Sequence, residues 1–253
     1  MTRQQQQELH NSFIRNGYVK LEGFVAPDEI KEVHRNLERF INDSVPSLPR
    51  DEVYYEDIND SSTIKQIPRL NKHDDYFDRH FTRGRFPELA EILLGCPVAP
   101  WSMQFFNKPP GIGQPTPAHQ DGYYFMLTPC EALTMWLALE EVDEQNGCVR
   151  YVTGSNRKGM RPHGKTDTLG FSQGVTDFGP KDSANEMTFS AMPGDLLVHH
   201  ALTVHRADGN RTSDRSRRAL GFVYFAAHAR EDTAMQKEYQ RQLTQDRIDA
   251  GKI

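Results

Sequence analysis

The chain has 253 residues, of which 37% are hydrophobic and 26% charged, so it is long enough for one large domain or two small ones with a sizeable core. Its 30 basic and 35 acidic side chains give a formal net charge of −5, which provides no general electrostatic attraction to nucleic acid or anionic lipid. The 18 Gly and 15 Pro are close to ordinary usage and exclude collagen-like and low-complexity classes.

The three cysteines, Cys96, Cys130 and Cys148, contain no C-x-x-C pair, and an odd number does not make a disulfide framework. Free thiols are typical of a reducing cytosol. The N-terminal residues lack the apolar run of a signal peptide, and no stretch approaches the roughly 18 consecutive apolar residues of a membrane span. We therefore expect a soluble cytoplasmic protein that binds neither nucleic acid nor membranes.

The N-terminal part of the chain is predicted to be mainly helical. Residues 3–16 have one apolar side and end at Gly17, a residue typical of helix C-caps. The other elements predicted here are a half-buried strand over 18–24, an amphipathic helix from Pro27, a polar loop over 44–60 and a helical stretch over 71–95.

After Gly95 the pattern changes to short apolar segments between turn residues. Such spacing favours a β-sandwich or barrel behind the helical region. The polar, Gly-rich stretch 154–185 is predicted to be a long loop, and loops of that length are often lids or binding elements. The predicted strands cover residues 98–108, 119–127, 132–140, 148–153, 187–198 and 218–228.

The tripeptide His-x-Asp occurs twice, at His73 and at His119. Around His73 the sequence is charged and has helical spacing, in which side chains two positions apart diverge, so a solvated helix face is favoured there. His119 and Asp121 follow a Pro- and Gly-rich loop, and in an extended chain their side chains project from the same face. They are then either two ligands of one metal or a loop-end ion pair.

A third ligand is available far downstream. The apolar strand after Gly194 carries His199 and His200, and His205 follows one short loop later. Two imidazoles and one carboxylate form the ligand set of non-heme Fe(II) oxygenases and leave about three positions of an octahedral ion open. His205 is favoured because a basic run follows it, and His199 and His200 are the alternatives.

That basic run ends in Arg217 and Arg218, directly before an apolar strand. An Fe(II) oxygenase with an organic acid as co-substrate needs a fixed cation for the distal carboxylate, and Arg binds carboxylates bidentately. Because successive strand residues point to opposite faces, only one of the two enters the interior. The alternation leaves open which one does, and a basic surface loop is the alternative for the whole run.

A set of motifs occurs in a fixed order over residues 18–225. These motifs are Phe106-Asn-Lys-Pro-Pro-Gly111, His119-Gln-Asp121 with its trailing aromatic residues, Trp136 through Cys148, Tyr151-Val-Thr-Gly-Ser155, Gly194-Asp195, and His200 through Ala219. In this order they resemble the phytanoyl-CoA dioxygenase-type (PhyH) family of Fe(II)/2-oxoglutarate-dependent oxygenases. The resemblance covers most of the chain.

The resemblance implies a mainly β fold with flanking α-helices, in which a double-stranded β-helix (a jelly-roll or cupin-like core) stands behind N-terminal helices. We expect one Fe(II)/2-oxoglutarate dioxygenase domain over residues 1–253. Its parts would be a helical support over 1–95, the jelly-roll core over 96–228 and a polar C-terminal tail over 229–253.

The resemblance also implies the roles of individual residues. His119, Asp121 and His205 would be the catalytic metal ligands of Fe(II), and Arg217 would hold the distal carboxylate of the co-substrate 2-oxoglutarate. Gln104 and Lys108 share strand parity and would face the same cavity. The full set of expected cofactor-binding residues is Gln104, Lys108, Trp136, Arg217 and Lys65.

The function implied is hydroxylation of an unactivated C–H bond of a small soluble metabolite, with consumption of O₂ and 2-oxoglutarate and release of succinate and CO₂. A hydroxylase of an acyl-CoA thioester and a non-oxygenase, cupin-like metal-binding protein are the alternatives. We expect a monomer or a homodimer. The candidate substrate walls are Tyr54, Tyr55, Tyr123, Tyr124, and Arg161 and His163 of the 154–185 loop.

Overall fold

The computed structural model describes residues 1–249. Its α-helices are α1 (Arg3–Asn16), α2 (Pro27–Asp43), α3 (Asp75–Thr82), α4 (Arg85–Leu94), α5 (Gly122–Phe125), α6 (Pro180–Ser183) and α7 (Thr233–Asp249). Its strands are β1 (Tyr18–Leu21), β2 (Tyr54–Tyr55), β3 (Ile64–Ile67), β4 (Val98–Phe106), β5 (Thr116–His119), β6 (Leu127–Thr128), β7 (Ala132–Ala138), β8 (Val149–Val152), β9 (His163–Lys165), β10 (Gln173–Val175), β11 (Glu186–Phe189), β12 (Leu196–His200), β13 (His205–Ala207), β14 (Ala219–Ala226) and β15 (Arg230–Glu231). Among residues 1–249 there is no helix with the length and apolar character needed to cross a membrane.

Two antiparallel sheets form the centre of the molecule. The larger sheet has the strand order β1-β12-β7-β14-β4-β3-β2, and the smaller one has the order β11-β8-β13-β5. Two short ribbons, β9 with β10 and β6 with β15, lie outside them. Neighbours that are distant in sequence, such as β7 beside both β12 and β14, show that the strands cross over instead of forming a simple meander.

The two faces of the larger sheet bury different partners. On one face, Met135 and Phe222 pack in a cluster with apolar side chains of α1 to α4, among them Phe13 and Leu37. On the other face, Trp136 packs in a second cluster with residues of the smaller sheet. The alternation of side chains along a strand thus gives β7 one face for the helices and one for the interior between the sheets.

The helical N-terminal prediction is confirmed in its main parts. Residues 3–16 are helix α1, which ends at Gly17 in the left-handed conformation with φ 88°. The stretch 71–95 contains two helices, α3 and α4, because the chain leaves the helical conformation at Arg83. Residues 44–60 hold short 3₁₀ turns together with strand β2, which extends the larger sheet.

The strand predicted over 119–127 is wrong. Strand β5 ends at His119, Asp121 has helical backbone angles, and the helical turn α5 follows. The continuous apolar run over 123–127 resembles a strand, but the amide of Gly122 donates to the carbonyl of Ala201 and starts a turn there. The long 154–185 stretch is also more ordered than predicted, since it contains the β9–β10 hairpin and α6.

Candidate metal centre and co-substrate pocket

Three predicted metal ligands meet at one end of the smaller sheet. His119 is the last residue of β5 and His205 is the first residue of β13, and the two stand directly opposite each other in the strand pairing. Their ring centroids are 4.1 Å apart. Asp121 follows β5 at the start of the α5 turn, which brings its carboxylate back over the two rings.

The ligand atoms converge on one point. His119 Nε2 lies 3.3 Å and His205 Nε2 3.6 Å from Asp121 Oδ1. One donor atom from each of the three residues lies within 4.8 Å of the other two. His119 and His205 are nearly fully buried, so water does not separate these groups from one another as it would at a surface.

The hydrogen bonds at the far side of each ring show that the site fits a cation. His119 Nδ1 lies 2.8 Å from the carbonyl oxygen of Pro117, and His205 Nδ1 lies 3.0 Å from that of Thr203. A carbonyl oxygen only accepts, so Nδ1 donates in both rings, and the Nε2 of a neutral ring then presents a lone pair. Two such lone pairs and a carboxylate oxygen facing one another are a metal-ligand set.

The protonation states agree with this geometry. Burial, together with the neighbouring imidazoles, lowers the pKa of His205 well below its usual value, which keeps the ring in its neutral, metal-binding form. Burial alone would raise the pKa of Asp121, but His205, His119 and His199 together lower that pKa well below its usual value. The residues therefore offer the deprotonated ligands that Fe(II) requires.

The two alternative histidines lie in different surroundings. His199 Nε2 is 3.0 Å from Asp121 Oδ2, the oxygen that does not face the other two ligands. His200 accepts a hydrogen bond from the amide of Leu202 at its Nδ1 and packs beside Phe13, with ring centroids 6.1 Å apart. His199 therefore contacts the ligand set from outside it, and His200 faces the helical side.

The adjacent arginines point in opposite directions. Arg217 is 4% exposed, its Nε donates to the carbonyl of Gly147 at 3.1 Å, and its guanidinium lies 5.2 Å from the ring centroid of Trp136. Arg218 is half-buried and pairs with Glu140 at 2.6 Å. Arg217 lines the same cavity as the three metal-ligand candidates.

Arg217 is a buried cation in need of an anion. Within the described part of the chain, no carboxylate lies at ion-pair distance from it. Burial lowers the pKa of Arg217 to about 10, so the guanidinium is still charged at neutral pH. A buried charge without a counterion is costly, and a bound carboxylate would remove that cost.

The other expected cofactor-binding residues surround this cavity. Lys65 lies along it and pairs with Glu56 at 3.3 Å, and Trp136 forms part of its wall. Lys108 donates to the carbonyl of Gln114 and lies 3.3 Å from Thr116 Oγ1. Burial, with Arg217 and Lys65 nearby, lowers the pKa of Lys108 well below its usual value.

Gln104 lies behind the cavity wall. Its side-chain oxygen accepts a hydrogen bond of 2.7 Å from Gln66, and Gln66 is the residue that lines the cavity. Gln104 and Lys108 are expected from the sequence to point to the same side of one strand. Strand β4 ends at Phe106, so Lys108 is not part of it. Gln104 and Lys108 therefore do not face the cavity side by side.

The six candidate wall residues, all in the described part of the chain, do not line the cavity of the metal-ligand candidates, although Tyr124 lies beside one ligand. The Tyr124 ring is 6.1 Å from that of His119, and Tyr124 OH donates to the carbonyl of Gln173. Tyr123 stacks on His163 at 4.4 Å.

The remaining wall candidates lie elsewhere. Tyr54 is buried and Tyr55 lines a neighbouring open groove. Arg161 forms ion pairs with Asp177 and Asp182 that tie the 154–185 stretch together.

Several residues of the site were not predicted from the sequence. Thr134 donates to Asp121 Oδ2 at 2.5 Å, and its parity with Trp136 on β7 is a signal that could have identified it. Phe171, in the turn between β9 and β10, lies 5.0 Å from the His119 ring. Glu56 directly follows β2 and Gln66 lies in β3, two short strands that no sequence pattern predicted.

The chain is similar to known proteins both in sequence and in fold. The family model described as Phytanoyl-CoA dioxygenase (PhyH) matches residues 13–219. A protein of Stutzerimonas stutzeri named "Probable alpha-ketoglutarate-dependent hypophosphite dioxygenase" is 25% identical over 228 residues, which are 88% of this chain and 79% of that protein. The peroxisomal phytanoyl-CoA dioxygenase of Mus musculus is 23% identical over 221 residues, and the match covers 81% of this chain and 64% of the mouse protein.

Solved structures confirm the jelly-roll architecture. The alpha-ketoglutarate-dependent epimerase SnoN of nogalamycin biosynthesis has a TM-score of 0.73 at 24% identity, with 91% of this chain and 86% of that chain covered. EctD from S. alaskensis, solved with 2-oxoglutarate and 5-hydroxyectoine, has a TM-score of 0.73 at 21% identity, with 92% and 78% covered. The predicted jelly-roll core with N-terminal helices is thereby confirmed.

Proposed function

The chain belongs to the phytanoyl-CoA dioxygenase (PhyH) family of 2-oxoglutarate-dependent dioxygenases, and from this premise we propose that it hydroxylates an unactivated C–H bond of a small polar metabolite. The observation that carries the proposal is that one cavity is lined both by metal-ligand candidates and by a buried cation. The three metal-ligand candidates share this cavity with the guanidinium of Arg217, which has no counterion among the described side chains.

In this proposal His119, Asp121 and His205 hold Fe(II), and Arg217 binds the distal carboxylate of 2-oxoglutarate. Trp136 supports the guanidinium through its ring face, and Lys65 and Lys108, whose amino groups contact Glu56 and the carbonyl of Gln114, line the same cavity. When bound, Fe(II) and 2-oxoglutarate supply the oxidative chemistry, in which O₂ gives one oxygen atom to the substrate C–H bond and one to succinate as CO₂ leaves. The protein contributes orientation and exclusion of water.

A small polar substrate is supported by the dimensions and charge of the site. The cavity is small, with a volume of about 80 Å³, so it suits a compact ligand. The neighbouring groove shares Glu56 and Lys65 with the cavity and adds Asp167, so it offers no surplus of positive charge for the phosphates of coenzyme A. This charge pattern favours a metabolite over an acyl-CoA thioester.

A panel of substrates tests the proposal. Fe(II)-loaded protein is incubated with 2-oxoglutarate, O₂ and each of several amino-acid-like, phosphonate and acyl-CoA compounds, and succinate is measured against the background without substrate. We expect a polar metabolite to raise succinate formation, and ¹⁸O from ¹⁸O₂ to enter the product. Stimulation by acyl-CoA compounds alone would establish the alternative substrate class. A protein that binds metal but never consumes 2-oxoglutarate would support the cupin-like alternative.

A further inference from the structure

The second oxygen of the Asp121 carboxylate is fully engaged by the protein. Thr134 Oγ1 donates to Oδ2 at 2.5 Å, and His199 Nε2 lies 3.0 Å from the same atom. Thr134 on β7 and His199 on β12 are directly paired residues of the larger sheet. The strand register therefore brings both side chains to one carboxylate oxygen from the sheet that faces the metal ligands.

The hydrogen bonds continue beyond His199 to the opposite sheet. His199 Nδ1 lies 3.1 Å from the hydroxyl of Tyr151, a fully buried residue of β8. Tyr151 is in turn the strand partner of His205. The chain Tyr151–His199–Asp121 thus crosses the interior between the two sheets and ends on a metal-ligand candidate.

The direction of this chain follows from the chemistry of its groups. The ionised Asp121 carboxylate only accepts, so His199 donates from Nε2, and the Nδ1 of the neutral ring then accepts from the Tyr151 hydroxyl. Burial and the Asp121 charge raise the pKa of Tyr151 well above its usual value, so its hydroxyl keeps the proton to donate. Each buried polar atom in the chain then has a partner.

We propose that His199, held by Tyr151, is a positioning residue that keeps Asp121 a one-oxygen metal ligand. With Oδ2 bound by His199 and Thr134, only Oδ1 faces His119 and His205. A carboxylate released from these bonds can rotate and offer both oxygens, which would occupy a position that the co-substrate needs. The inference rests on the proposed function for the identity of the metal and of the co-substrate.

The test uses the full-length protein, stripped of metal and titrated anaerobically with Fe(II). The first readout is the apparent Kd for Fe(II), and the second is the visible charge-transfer band that appears when 2-oxoglutarate chelates the bound iron. The variants are His199→Phe, His199→Gln and Tyr151→Phe. His200→Gln is the matched control, because this neighbouring, half-buried histidine contacts the amide of Leu202 and the ring of Phe13 on the helical side.

We expect His199→Phe to weaken Fe(II) binding about 10- to 100-fold, the usual effect of losing a hydrogen-bond partner of a metal ligand, and to weaken the band. His199→Gln should restore much of the affinity, since its amide can donate to the same oxygen. Tyr151→Phe should shift the Kd in the same direction by a smaller factor. His200→Gln should bind Fe(II) like the wild type.

A folded His199→Phe variant with wild-type Fe(II) affinity and an unchanged band would overturn the inference. Equal weakening in His199→Phe and His199→Gln, or in the control, would also overturn it, because the donated hydrogen bond would then not be the cause. A wild-type protein that binds Fe(II) but gives no band with 2-oxoglutarate would contradict the proposed function instead. The Fe(II) affinities of the variants would still decide the role of His199.

Discussion

At the scale of single residues, two neighbouring arginines have opposite surroundings. Arg217 is buried beside Trp136 without a carboxylate partner in the described chain, and Arg218 is paired with Glu140 at the outer side. A fixed cation that faces the co-substrate contributes a desolvated, charge-assisted contact, whereas a partly exposed ion pair contributes about 0–1 kcal/mol. The same substitution at Arg217 and at Arg218 should therefore have very different effects on the binding of 2-oxoglutarate.

We predict that Arg217→Met raises the apparent KM for 2-oxoglutarate by about 30-fold or more, because loss of a buried charged contact costs on the order of 2–5 kcal/mol. Arg218→Met, the matched control, should change KM less than about threefold. Both constants come from succinate formation at varied 2-oxoglutarate. The opposite order would assign the anchor to Arg218, and two unaffected variants would contradict a carboxylate-binding role for this pair.

Asp195 permits a second residue-scale prediction, on stability. Its carboxylate is nearly fully buried and accepts from the amides of Gly23 at 2.8 Å and Met192 at 3.0 Å, with Lys20 at 3.1 Å. Burial alone would raise the pKa of Asp195, but the two amides and Lys20 lower it below its usual value. We expect Asp195→Asn to lower the free energy of unfolding at pH 7 by about 1–3 kcal/mol.

The pH dependence of this difference has a definite sign. A carboxyl group with a lowered native pKa stabilises the fold above its unfolded pKa of about 3.9, and that stabilisation is lost as pH falls through the native pKa. We therefore expect the difference in free energy of unfolding between wild type and Asp195→Asn, measured by urea unfolding, to be constant from pH 7 to about pH 5. Below about pH 3.9 this difference should become smaller. A difference in free energy of unfolding that increases on acidification would contradict a lowered pKa for Asp195.

At the scale of elements, the β9–β10 hairpin and its turn cover the cavity. Phe171 in this turn packs against His119, and the adjacent Gly170 has φ 85° and lies against Gln66 of the cavity wall. A Cβ at Gly170 would overlap the Gln66 side-chain oxygen, whereas a Cβ at Gly159, also with positive φ at 75°, would meet open space. The two glycines form a matched pair for testing closure.

We predict that Gly170→Ala and Gly159→Ala both lose roughly 1–3 kcal/mol of stability, the cost of a backbone with positive φ for a residue with a Cβ. Only Gly170→Ala should speed amide hydrogen exchange in residues 166–172, because only there does the added methyl group displace the Gln66 side chain against which the turn lies. Hydrogen-exchange mass spectrometry of the folded variants measures this. Equal exchange in both variants would mean that the turn does not depend on this contact.

Much of the element order could be predicted from the sequence, because apolar periodicity marks buried helices and strands directly. Helix α1 with its Gly17 cap is an example, as is the apolar segment 132–140 that contains the fully buried strand β7. The segment 119–127 could not be predicted in this way, since its aromatic residues face several partners around the α5 turn. Glu56 and Gln66 reach the site only through long-range pairing of β2 and β3 with β4.

At the scale of the whole molecule, the helices support the larger sheet from one side, and the site lies between the two sheets. The helices cover one face of the larger sheet, and the interior between the sheets carries the polar residues of the site. The single-domain organisation over residues 1–253 and the monomer or homodimer state stay predictions. The predicted C-terminal tail includes α7 as far as Asp249, and its last residues, 250–253, lie outside the described range.

If the residues of this one cavity hold Fe(II) and 2-oxoglutarate for a reaction with O₂, the protein must convert 2-oxoglutarate to succinate. This is measured as Fe(II)-dependent formation of succinate in air by the wild type, His205→Ala and His200→Gln, each first shown to be folded. We expect succinate from the wild type and from His200→Gln, and none above the protein-free background from His205→Ala. Wild-type succinate formation by His205→Ala, or none by the wild type with any compound of the panel, would contradict this expectation.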